Sequence, residues 1–160
     1  MSTFQSSPSP LFTRLVYVAF GLMAVVLMLS AYLRLSGAGF GCADWPACYG
    51  QGYADPWREL VVQSNGAIAI PFDAAAIHVT HRATAVAVDF YLLWLGLTAV
   101  GSGASRYGKA LVGLVFLQAL LGVTAVKFAH PLAVVLAHNA LAAVLLLTLL
   151  SLAYRPHDHA

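Results

Sequence analysis

The chain has 160 residues, 61% of them hydrophobic and only 9% charged, an apolar excess that excludes an ordinary soluble domain. Its formal net charge of +2 is too small to argue for nucleic acid as a partner. Composition therefore assigns the chain to a lipid bilayer, with membrane lipid as its surroundings.

Met1 to Pro10 is rich in Ser and Pro and uncharged. The apolar run after Arg14, from Leu15 to Leu33, is too long for the core of a signal peptide and is expected to stay as a first membrane helix. The long connection from Arg34 to Ala75 carries Trp45, Tyr49, Tyr53 and Trp57, side chains suited to the membrane interface. It also holds both cysteines, Cys42 and Cys48, which are most simply joined as a disulfide on the oxidising face. Gly37, Gly39 and Gly41 lack the preceding strand that a nucleotide-binding turn needs.

Three more spanning segments follow: about Ala76 to Val100, Ala110 to Val126, and Leu132 to Leu152. A basic, Gly/Ser-containing turn from Gly101 to Lys109 joins the second to the third, and a turn at His130-Pro131 joins the third to the fourth, since Pro suits a helix start. The expected fold class is all-α, an integral membrane four-helix bundle forming a single transmembrane domain over residues 1–160, with a long outer loop, 34–75, between the first two helices. Arg14, Arg106, Lys109 and Arg155 fall on one side, and Arg34, Arg58 and Lys127 on the other. With the cysteine pair, this bias puts both termini in the cytoplasm and the long loop in the periplasm of a bacterial inner membrane.

Two histidines carry the chemistry. His81 and His138 each lie about 8 to 9 Å inside the outer end of an apolar segment, where a polar ring is costly unless something coordinates or hydrogen-bonds it. Their matching depth points to a metal between them, and axial ligation from facing helices points to heme iron. A faint repeat supports the pairing, because HRATAVAVDFYLL and HNALAAVLLLTLL align on these histidines. One turn further on are Ala85 and Ala142, on the same helix faces; they leave room for a flat macrocycle, or simply let helices pack closely. Arg82 and Arg34, at the outer ends, suit a heme propionate or the lipid headgroups.

Asp89, two turns below Arg82, is expected to be protonated or paired, with proton movement as an alternative. His78, one turn before His81, can be an acid/base group, an alternative ligand or an interfacial side chain, and spacing alone favours the last. His130 in the outer turn reads as structural, and His157 and His159 in the tail as solvated.

The segments RLSGAGFGCADWPACYGQ (Arg34 to Gln51), His81-Arg82, LQALLGVTAV (Leu117 to Val126) and HPLAVVLAHNAL (His130 to Leu141) together resemble the heme A synthase family of cytochrome oxidase assembly factors. They touch every helix and the long loop, and the C-x-D-W-P-x-C-x-G-Q run is the most specific of them. Family members usually have eight helices as two fused halves, and this chain resembles one half, the N-terminal one that carries the loop cysteines. The resemblance implies a heme-handling protein in which His81 and His138 ligate the iron of heme b or heme O/A, and Cys42 and Cys48 form a loop disulfide. It implies an oxidoreductase that converts a methyl group of heme O, the substrate, to the formyl group of heme A. Where the family looks to have a carboxylate one turn before the first histidine, this chain has His78, which becomes the catalytic proton acceptor in this reading. One half offers one bis-histidine site, so a homo-oligomer or a partner membrane subunit is expected. The alternatives are a non-enzymatic b-type cytochrome or heme-delivery subunit, and a four-helix module without heme.

Overall fold

The computed structural model describes residues 9–36, 38–40, 45, 74–101 and 104–154. The described chain forms helix α1 (Pro10–Leu35), a short 3-10 turn (Ala38–Phe40), α2 (Ala74–Gly101), α3 (Ser105–Lys127) and α4 (Leu132–Ala153), with no strand among the described residues. All four α-helices are long and apolar enough to cross a membrane, which makes this a multi-pass membrane protein of the all-α class.

Helix α1 begins five residues before the apolar run because its cap lies outside that run. The Ser9 hydroxyl accepts a bond from the Phe12 backbone N–H at 3.2 Å, and Pro10 takes a first-turn position where its missing N–H costs nothing. The α2–α3 connection is shorter than the expected turn: α3 starts at Ser105, so Arg106 and Lys109 belong to its first turns rather than to a loop. Glycines make this tight hairpin possible. A Cβ on Gly108 would lie 2.6 Å from the Gly96 carbonyl oxygen, so the two backbones meet directly where the helices cross.

The helices form a ring in which each packs on its chain neighbours and α1 also packs on α4. Helices α2 and α4 stand diagonally opposed, without close backbone contact among the described residues. At one end the ring is filled by Val16 and Ala19 of α1, Leu92 and Leu95 of α2, Leu111 of α3 and Leu149 of α4, all fully buried. Tyr91 ties α2 to α1 there, its hydroxyl donating to the Leu15 carbonyl at 2.9 Å. Thr80, Thr84, Thr124 and Thr148 each donate their hydroxyl to the carbonyl four residues back, at 2.7–2.9 Å, which satisfies them where lipid offers no partner. At the other end the ring opens into a cavity.

Cys42 and Cys48, the loop residues Tyr49, Tyr53 and Trp57, and His157 and His159 lie outside the described residues.

Candidate functional site

The cavity has a volume of about 220 Å³ and takes walls from all four helices, with Trp45 of the long connection beside them. His81 and His138 both line it. They sit seven and six residues into α2 and α4, which at 1.5 Å per residue is about 10 and about 9 Å from the helix starts, so they stand at one level. These helices are not packed neighbours: they oppose each other across the ring, and the space between them is the cavity itself. Ala85 and Ala142, one turn deeper on the same faces, line it too, as do Val88 and Leu145 below.

Arg34 and Arg82 also line the cavity. Arg34 reaches from the end of α1 to α4, where its Nη1 donates to Asn139 Oδ1 at 2.7 Å, next in sequence to His138. Asp89 lines the cavity two turns below Arg82.

His78 is not the interfacial side chain that its spacing favours. It is only 3% exposed and faces the same cavity. Covering it is the 3-10 turn, which lies on α1 and α2 and whose Ala38 packs with Leu33 and Ile77; no helical periodicity in the sequence signals that contact. His130 is likewise more than a turn residue. It lines the cavity, and its ring centroid lies 6.1 Å from that of His78, the planes tilted by 50°. The backbone aims it there: Ala129 and His130 take φ of 54° and 59°, left-handed values unusual for residues with a Cβ, and the His130 N–H donates to the Ala125 carbonyl at 2.7 Å. Burial, with the Arg82 guanidinium adding to it, holds the His130 imidazole below the usual histidine range.

Gln118, Gly122 and Asn139 complete the surroundings of His138 and escaped the sequence analysis. Gln118 carried a readable signal, as an amide in the middle of an apolar span. Its Nε2 lies 3.3 Å from His138 Nε2. Gly122, one turn on, leaves the His138 ring its place, since a Cβ there would come within 3.2 Å of the imidazole Cε1. Among the described residues, Nδ1 of His78, His81 and His138 and Oε1 of Gln118 are buried without a hydrogen-bond partner, a concentration that marks a site built for something bound.

Fold and site together define a polytopic four-helix membrane protein with a histidine-lined cavity confined to one end of the bundle. The sequence pattern of the family described as cytochrome oxidase assembly protein matches residues 13–65 and 59–150, and the chain belongs to this family, that of the heme A synthases. Two curated relatives bear the name heme A synthase. The one from Shewanella oneidensis is 62% identical over 26 residues, 16% of this chain and 8% of that protein. The one from Methylobacterium sp. (strain 4-46) is 37% identical over 97 residues, 58% of this chain and 24% of that protein. The chain thus spans less than a quarter of the length of each of these relatives. No solved structure matches it.

Proposed function

We propose that the chain binds heme between His81 and His138 and acts in heme A biosynthesis, oxidising a methyl group of heme O to the formyl group of heme A, with water giving the oxygen atom and an external electron acceptor taking the four electrons. The observation that carries this reading is a pair of imidazoles at one level on opposed walls of a cavity, above small side chains and beside two guanidinium groups. Among the described residues no three His, Cys, Asp or Glu side chains gather as a bare ion would require. Two histidines suffice only for a metal that brings its other ligands with it, as heme iron does. When bound, heme supplies a redox-active iron conjugated to the ring that bears the methyl group.

The protein's own part is to place and neutralise. His81 and His138 hold the iron, Ala85 and Ala142 keep the walls thin, and Arg34 and Arg82 take the propionates through charge-assisted bonds. His78, buried on the same wall, is the proton acceptor. Cys42 and Cys48 form a disulfide in the periplasmic loop, both termini are cytoplasmic, and the cavity mouth lies near the periplasmic leaflet of a bacterial inner membrane. One four-helix unit holds one such histidine pair, so a substrate heme and a redox heme together call for a second four-helix unit, in a longer chain, a second copy or a partner membrane subunit.

Expression beside a source of heme O, followed by mass spectrometry of the extracted heme, tests the reaction. Hydroxylated or formylated product is expected, and it disappears in His78→Ala. Heme b or heme O alone, with no oxidised product, contradicts catalysis and supports the second reading, a non-enzymatic b-type cytochrome or heme-delivery subunit. The presence of a histidine at position 78, where the family looks to have a carboxylate, favours that second reading.

A further inference from the structure

We infer that Gln118 is a positioning residue that competes for the ligating nitrogen of His138, making His138 the exchangeable partner and His81 the fixed one. This rests on the heme reading above and adds to it an asymmetry between the two histidines. Of the two rings, His138 is the one with a side-chain hydrogen bond among the described contacts: the Gln118 amide, which has only donors on Nε2, lies 3.3 Å from His138 Nε2. With the amide nitrogen donating, His138 Nε2 accepts and Nδ1 carries the proton; Nδ1 and Gln118 Oε1 are both buried without a hydrogen-bond partner among the described residues. Gly122 lets the ring lie close to α3, within reach of Gln118: a Cβ there would approach Cε1 to 3.2 Å. Gln118 and Gly122 lie one turn apart on one face of α3, so together they form a seat for the imidazole.

The seat has two consequences. It presets the tautomer that leaves a lone pair on Nε2, the state that a metal-ligating imidazole needs. It also occupies that lone pair with an amide N–H, so a heme iron binding at Nε2 would have to displace Gln118, and His138 would be held less firmly than His81.

The test uses the full chain with Gln118→Leu, which removes the donor and adds no group able to ligate iron. Nitrogen NMR of histidine-labelled protein without heme reads the seat alone. The wild type is expected to show His138 protonated on Nδ1 and hydrogen-bonded at Nε2, with Gln118→Leu shifted toward the Nε2–H tautomer; identical His138 signals in the two proteins overturn the inference. With ferrous heme bound, carbon monoxide must displace a histidine, and its binding is expected to slow roughly fivefold in Gln118→Leu, the factor corresponding to one net hydrogen bond. Unchanged carbon monoxide kinetics also overturn it. If neither protein takes up heme, the heme reading fails, while the NMR comparison still decides whether Gln118 seats His138.

Discussion

At the scale of single residues, the cavity depends on what is small and on what is neutral. Ala85 contributes a methyl group where a larger side chain would fill the space below His81. Ala85→Leu is expected to cut heme uptake severalfold while circular dichroism stays helical, because overpacking of this kind costs about 1–3 kcal/mol locally and does not touch the apolar end of the bundle. Full heme content in that variant would mean that the macrocycle lies elsewhere. His130 gives a pH dependence with a definite sign. Its folded-state pKa is lowered, by burial first and then by Arg82, so the folded protein holds the neutral ring and the unfolded chain binds a proton more readily. This contribution is fully present above the ordinary histidine value, about 6.5, and is lost as pH falls below it. Thermal unfolding in detergent is therefore expected to be more acid-sensitive in the wild type than in His130→Gln, and equal slopes would remove His130 from the buried network.

At the scale of helices, the crossing of α2 and α3 separates close approach from mere glycine content. A Cβ on Gly108 would meet the Gly96 carbonyl oxygen at 2.6 Å and the Val100 backbone nitrogen at 2.7 Å, whereas a Cβ on Gly113 of the same helix meets nothing within 4 Å. Gly108→Ala is expected to destabilise the protein by about 1–3 kcal/mol as the helices are forced apart. Gly113→Ala is expected to be neutral or to stabilise by up to about 1 kcal/mol through helix propensity, and unfolding midpoints of the two variants check the contrast. The helices themselves were legible because an apolar run of twenty residues has few other uses. Their ends were less so: Ser9 and Pro10 cap α1 from outside the apolar run, and α3 takes in Arg106 and Lys109, whose charges read as turn. That His81, His138, Ala85 and Ala142 share one level and one space could be expected from depth and spacing alone, and all four line the cavity. The burial of His78 could not, because a 3-10 turn distant in sequence covers it, nor could the inward aim of His130, which depends on two left-handed residues with no glycine to announce them. Gln118 and Asn139 act through contacts between helices, which a one-dimensional pattern does not contain.

At the scale of the molecule, the bundle is divided along its length: an apolar plug at one end gives rigidity, and a polar cavity at the other concentrates four histidines, two arginines and a carboxylate. Ionisable groups within a membrane are costly, and a protein keeps them for use. The diagonal placement of α2 and α4 matters here, since it lets their histidines face across a gap instead of packing against each other. On the reading proposed above, these two imidazoles share one heme iron. An absorption spectrum of the purified wild type beside His81→Ala and His138→Ala, with the heme identified by mass spectrometry, tests that sharing. A low-spin heme spectrum is expected in the wild type, with its loss or conversion to high spin in each variant; a colourless wild type, or variants whose spectra match it, would rule the shared iron out.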